Sequence, residues 1–423
     1  MVGQSKVVLI ARTTRSGFTA LVAVVLLLVA VGAVFSQRGP IKIGLLVPLT
    51  GPLSANGKEM ANGLALYLEE QHQQLAGRDA KLIVEDTEGK PPIALNKARA
   101  LAESHGVHVL VGPLATAEAY ALVSYIERQK IPTLSPTVAG EDLTQRRRSP
   151  YVVPTGWSAG QPGHPFGRWV YETLKYRKIA MIGQDWAFGH ESCGAFQRTF
   201  EEAGGQVVQK LWPPFGTTDF APYITGLKRD VDAVYAAGAG NDALRFVRQY
   251  ADAGLKGRIP LIGSGNFTDE HVLRSMGDEA LGIVTALHYS AALATPANRR
   301  FVKAYEAKHQ QVPSYYAEGT YVAGSVLKAA LDAVGGDVED AVKFLAALRR
   351  VRITEAPRGP VSFDDYGHPI ENIYVRRVER VEGRLQNTVI HTFTGVSQFG
   401  PYRAEEFLKN PVYSRDWPPC KAC

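Results

Sequence analysis

The chain has 423 residues, 45% of them apolar and 21% charged, with 41 Gly, 25 Pro and three Cys. That is apolar material for two or three domains with full cores and too much for a disordered chain; the Gly residues follow no three-residue repeat, and three Cys exclude a disulfide scaffold. The net charge of +6 overstates the folded part, because Lys6, Arg12 and Arg15 stand in an acid-free N-terminus, and what remains is no nucleic-acid footprint.

After those three cations, Gly17–Phe35 is an uncharged, largely apolar run that ends in small residues, with Val34 and Ser36 placed for cleavage before Gln37. Cations, apolar stretch and cleavage site in that order predict an export signal over residues 1–36; an uncleaved anchor is the alternative, since the run is almost long enough to span a bilayer. No Cys precedes Cys193, so a lipid-anchored start is not expected, and Arg12 and Arg15 are separated by two Thr, unlike a twin-arginine signal. No second apolar run of spanning length follows, which points to a soluble, periplasmic protein.

From Gln37 onward, short β-branched runs alternate with longer helical ones. IKIGLLVPL (41–49) reads as a buried strand and Gly57–Leu75 as an amphipathic helix; AKLIVEDT, VHVLVGP (107–113) and IPTLSP (131–136) follow as strands separated by helical stretches. A second series begins after Tyr151 with KIAMIGQD, GQVVQKLW, DAVYAAG, IPLIGSG and GIVTALHY. Three helical segments then span Thr295–Arg350, and the sequence from VSFDDYG to TVIHTFTG is rich in strand formers. The rhythm is that of doubly wound parallel sheets, and two α/β lobes fit it better than one sheet of about ten strands. Crossings between lobes are expected near Val153–Ser158, Ala286–Ala291 and Arg358–Phe363, which gives one lobe from 37–154 plus 288–359 and a second from 155–287 plus 360–423.

Several motif-shaped segments lack the context that their chemistry needs. Gly156-Trp157-Ser158-Ala159-Gly160 matches a nucleophile elbow, but Pro162 and Pro165 obstruct the helix that must follow the Ser at once. Gly238-Ala239-Gly240-Asn241-Asp242-Ala243 has the form of a dinucleotide turn, yet the next strand ends LIGSGN without the acid that would hold a ribose, so a tight βα turn beside a ligand cleft is the better reading. His105 and His108 have no partners at zinc spacing, and no metal or cofactor is expected. Cys420-Lys421-Ala422-Cys423 reads as an oxidised pair, or as the source of a bridge to Cys193, and Arg146-Arg147-Arg148 as a solvated loop.

The strand ends carry the stronger signal. Thr50–Gly57, Gly112–Thr116 and Ser135–Ala139 are rich in small and hydroxyl residues and follow the carboxyl ends of parallel strands, the rim where open α/β sheets bind ligands. Thr116 would open a helix, where its hydroxyl and the free backbone N–H groups can hold a carboxylate without a cation.

At these residues the sequence resembles the type I periplasmic solute-binding proteins of the branched-chain amino acid importers. The resemblance runs through IKIGLLVPLTGPLSANG, VHVLVGPLATAEA, IPTLSPT with DLTQ, DWAFGHE, YAAGAGNDALRFVRQYADAGLK, TPANRRFVKAYEA, PRGPVSFDDYGHPIENIYVRRVE and FLKNPVYSRDWPP. It implies two Rossmann-like lobes joined by three crossings, closing by hinge motion over a small ligand that is delivered to a membrane permease. It implies a ligand site at Asn56, Leu114, Ala115, Thr116, Thr137, Val138, Ala139, Trp157, Phe188, Ala239, Gly265 and Asn266, with Thr116 as the carboxylate-binding hydroxyl. Ala139 stands where a hydroxyl is usual, and Gly265-Asn266 where amino acid binders place an acid for the ammonium; Asp185 and Asp242 are the substitutes in reach. A desolvated ammonium without a counter-charge is costly, so an aromatic acid is preferred to a branched-chain amino acid, with Trp157, Trp186 and Phe188 as apolar walls. The expected protein is a non-enzymatic carrier of a small carboxylate for an ABC importer, acting as a monomer. A ligand sensor of the same fold partnered with a membrane receptor, and a serine hydrolase at Ser158, are the alternatives.

Overall fold

The computed structural model describes residues 39–423; the expected export signal over 1–36 lies outside them. Ile41–Val47 (β1) is a strand with every residue but Lys42 buried, as a run covered on both faces requires. Ser54–Glu70 (α1), Gln74–Leu75 (β2), Arg78–Asp86 (β3), Pro91–Arg99 (α2), Val109–Val111 (β4), Thr116–Gln129 (α3), Thr133–Ser135 (β5) and Val152–Pro154 (β6) follow. The six strands form one sheet in the order β2-β3-β1-β4-β5-β6, parallel except for the β2–β3 hairpin.

Gly163–Trp169 (α4), Lys178–Gly183 (β7), Ala187–Glu202 (α5), Gln206–Leu211 (β8), Ala221–Thr225 (α6), Ala233–Ala237 (β9), Gly240–Asp252 (α7), Leu261–Ser264 (β10), Glu270–Leu273 (α8) and Val284–Leu287 (β11) build a second α/β series. The helices Pro296–His309 (α9), Tyr315–Ala333 (α10) and Ala341–Leu348 (α11) return toward the first sheet: Val326 and Leu327 of α10 share a core with Leu45 and Leu64, and Thr320 Oγ1 donates to the Met60 carbonyl at 2.7 Å. Ile353–Ala356 (β12), Gly359–Phe363 (β13), Pro369–Val381 (β14) and Arg384–Val396 (β15) then join the second sheet, ordered β12-β13-β14-β11-β10-β9-β7-β8 with β15 paired to β14, and Ala404–Leu408 (α12) follows. The chain is an α/β protein with two doubly wound sheets.

Element placement departs from expectation most clearly after α1. The helix occupies Ser54–Glu70 and not Gly57–Leu75. His72 and Gln73 adopt positive φ, which ends the helix, and Leu75 is fully buried as the partner of Arg78 in the β2–β3 hairpin. Gly57 lets α1 start close to the end of β1, since a Cβ there would lie 1.9 Å from the Pro48 carbonyl oxygen.

Where the chain passes between the sheets, several carboxyls are wholly buried. Gly160 N–H donates to Glu141 Oε1 at 3.1 Å and Glu141 N–H to Glu191 Oε2 at 3.4 Å. Burial pushes the Glu141 carboxyl up to about 8, and the Glu191 carboxyl beside it also goes up. Glu371 is likewise pushed up to about 8 by burial. The folded protein therefore keeps protons that the unfolded chain releases near 4.5, the ordinary value. This stabilisation is complete below the ordinary range and is lost as pH rises through the folded value. The unfolding midpoint is expected to fall as pH is raised from about 5 to about 8.5, and less steeply in Glu141→Gln; equal slopes in the two proteins would show that Glu141 titrates normally.

Candidate ligand-binding site

The carboxyl ends of the parallel strands of both sheets face a cavity of about 290 Å³. On the first-sheet side, the loop after β4 brings Leu114, Ala115 and Thr116 to its wall at the start of α3. Ala115 N–H is taken by Glu118 Oε2 at 2.9 Å, and no side chain caps the first amides of α3. Those amides and the Thr116 hydroxyl sit at the positive end of a 14-residue helix, an arrangement suited to a carboxylate. Thr137 and Ala139 from the loop after β5 join them.

On the second-sheet side, Ala239, Gly240, Asn241 and Asp242 line the cavity at the β9–α7 turn, as the tight-turn reading of Gly238–Ala243 expected. Gln184, at the end of β7, fixes this wall. Its Nε2 donates to Asp242 Oδ2 at 2.8 Å, and its Oε1 accepts from Ala239 N–H and from Trp186 Nε1, each at 3.2 Å. Asp242 also accepts from Gly216 N–H at 2.8 Å and lies 3.7 Å from Arg245 Nη1. It is the one carboxylate among the described residues that line the cavity, and its oxygens are engaged by groups of the protein.

The remaining walls are aromatic. Trp157, only 1% exposed, stacks on His288 at 5.5 Å and meets Phe188 edge-on at 6.1 Å. Trp186 contacts Phe188 at 6.0 Å and Phe215 at 5.0 Å, while Tyr315 and Tyr316 enter from the start of α10. Burial keeps the Tyr315 hydroxyl protonated by raising it well above the ordinary phenol range.

Nine of the twelve residues singled out from the sequence line this cavity: Leu114, Ala115, Thr116, Thr137, Ala139, Trp157, Phe188, Ala239 and Asn266. Three do not. Asn56 is buried in the first turn of α1. Val138 turns the other way and packs with Ala119 and Leu143. Gly265 lies beneath the wall, where its carbonyl accepts from Arg376 Nη2 at 2.6 Å and a Cβ would meet Leu287 at 2.3 Å. Asp185 is not available to the cavity, being held by His190 Nε2 at 2.9 Å and by Arg415. Burial opposes its charge, yet those partners hold its carboxyl below the ordinary value.

Ser158 is 1% exposed, its Oγ has no partner among the described residues, and α4 begins only at Gly163, so the geometry of a nucleophile elbow is missing. Cys420 and Cys423 form the disulfide, and Cys193 is a buried thiol raised by burial to well above the ordinary thiol range. The sequence reading missed Arg245, Phe215, Gly216, Thr218, Tyr315 and Tyr316. Arg245 was within reach of inference, since it stands three residues beyond Asp242 on one helix face.

Two α/β lobes presenting helix N-termini and aromatic walls to a shared cavity define a solute-binding protein. The chain belongs to the periplasmic binding protein family, whose model matches residues 40–384. A Leu/Ile/Val-binding protein homologue from Brucella melitensis is 31% identical over 364 residues, covering 84% of this chain and 91% of the relative. Among solved structures, an ABC transporter substrate-binding protein from Sphaerobacter thermophilus is 36% identical with a TM-score of 0.81, covering 85% of this chain and 99% of the other. An ABC-transporter solute-binding protein from Rhodopseudomonas palustris, solved with 3,4-dihydroxybenzoic acid, is 32% identical with the same coverage and a TM-score of 0.81. The protein is thus a substrate-binding component of the ABC-transporter type, in a family that works outside the cytoplasm.

Proposed function

We propose that this protein captures a small aromatic carboxylate in its inter-lobe cavity and delivers it, by hinge closure, to the permease of an ABC importer. The observation that carries this reading is the state of Asp242. A bound amino acid would need a free carboxylate for its ammonium, and the Asp242 oxygens are already occupied by Gln184, Gly216 and Arg245. A flat acid needs only the donors around Thr116 and apolar walls, which Trp157, Trp186 and Phe188 supply. The Rhodopseudomonas palustris relative, solved with a dihydroxybenzoic acid, supports the same choice. In this reading the lobes are 37–154 plus 288–359 and 155–287 plus 360–423, residues 1–36 direct export, and the mature protein works as a periplasmic monomer without cofactor.

A thermal-shift panel of benzoate, 4-hydroxybenzoate and cinnamate against leucine, isoleucine and valine tests it. A ligand at about 100 times its Kd adds about 2.7 kcal/mol. Stabilisation by the aromatic acids alone is expected; stabilisation by leucine alone would return the site to amino acids. Thr116→Val is expected to weaken the aromatic acid by about 1–3 kcal/mol with the unliganded melting temperature unchanged. Unchanged affinity in calorimetry would remove Thr116 from the carboxylate site.

A further inference from the structure

We propose, resting on the aromatic-acid reading above, that the ligand carries a second acidic group and that Arg245 receives it, so that the ligand class is an aromatic dicarboxylate. Arg245 is the one cation among the described residues that line the cavity. It stands on α7, on the second-sheet side, while Thr116 opens α3 on the first-sheet side. Its guanidinium lies 3.7 Å from Asp242 Oδ1, an ion pair too long for a hydrogen bond. The hydrogen bonds of Asp242 are made instead with Gln184 Nε2 and Gly216 N–H, both at Oδ2. Arg245 donates no hydrogen bond to any described residue, which leaves the N–H donors of its fork to the cavity.

Arg245 is also placed where a charged group stays partly wet. Its side chain is 40% exposed, and Phe215, next to the Gly216 that bonds Asp242, is 45% exposed. Trp157 and Tyr315 in the same lining are all but sealed. The second acid group therefore belongs to the open part of the cavity, where its own desolvation costs least. Closure over a monoacid held at Thr116 strips water from the guanidinium and returns no counter-charge. A neutral hydroxyl offers it one acceptor. A carboxylate offers two oxygens in the geometry of the fork, in charge-assisted bonds roughly twice as strong as neutral ones. A diacid with one group at Thr116 and the other at Arg245 also joins the two lobes through the ligand, which favours the closed form.

Calorimetry on the full protein with benzoate, 4-hydroxybenzoate and the 1,2-, 1,3- and 1,4-benzenedicarboxylates tests the proposal. At least one dicarboxylate is expected to bind about tenfold or more tightly than benzoate, and the isomer that does so reports the spacing of the two acid subsites. In Arg245→Gln that ratio should fall below about threefold. In Arg245→Lys, which keeps the charge without the fork, it should fall between the two values. A ratio unchanged in Arg245→Gln overturns the assignment to Arg245, even where both acids weaken together, because the residue then acts on any anion. Benzoate or 4-hydroxybenzoate binding as tightly as every dicarboxylate overturns the second acidic group on the unmodified protein, whatever the variants do. If no acid of the panel binds, the aromatic-acid reading itself fails and the second group with it; benzoate binding without a dicarboxylate advantage removes the second group alone.

Discussion

Replacing Arg358 with Met is expected to cost about 3–5 kcal/mol of stability near neutral pH, and less in acid. The Arg358 side chain is fully buried between the passes that link the sheets. Its Nε donates to Glu318 Oε1 of α10 at 2.9 Å, and its Nη1 donates to Glu371 Oε2 of β14 at 3.0 Å and to the Thr155 carbonyl beyond β6 at 3.3 Å. Burial works against the guanidinium charge, and the two carboxylates hold it above its ordinary value. Burial pushes both acids up, Glu371 to about 8, and the guanidinium between them works against that rise. Without the cation, either acid when ionised is a buried charge with nothing to oppose it, and it must take up a proton or unfold the site. The penalty therefore grows as pH rises. Urea denaturation at about pH 5.5 and 8.5 separates this from simple loss of packing, for which the two penalties would be equal. Adding Glu318→Gln should recover part of the loss at the higher pH, because it removes the uncompensated charge.

The sheets were legible because strands covered on both faces must be apolar along their whole length, and β1, β7 and β9 are nearly so. The first-lobe rim was legible for a related reason: only small and hydroxyl residues let backbone amides approach a ligand, and the loops at Thr116 and Thr137 are built of them. Single-residue resolution failed at alternation. Thr137 and Ala139 face the cavity while Val138 between them faces away, and Asn266 faces it while Gly265 supports the turn. Asn56 was lost because α1 begins at Ser54, which places it on the buried side of the first turn. Tyr315, Phe215 and Thr218 reach the site from segments far apart in the chain, and no local pattern reports such packing. Gln184 was invisible for the same reason, although one side chain there fixes Trp186, Ala239 and Asp242 together.

Asn266→Asp should invert the ligand preference. The introduced carboxylate would lie in the cavity wall, beside Tyr315. At about 6 Å and an effective dielectric of about 20, it repels a bound carboxylate by about 3 kcal/mol, roughly a 100-fold loss for benzoate. The same charge supplies what an amino acid's ammonium lacks in the unmodified protein, so leucine should gain by a comparable factor. Acid restores the original behaviour: the buried site raises the new carboxyl, and once it is protonated the repulsion vanishes and benzoate affinity recovers as pH falls. A merely damaged cavity would weaken benzoate at every pH and gain nothing for leucine. Equal benzoate affinity in both proteins would instead place the ligand out of reach of Asn266, and with it the argument that a neutral wall selects an acid without an ammonium.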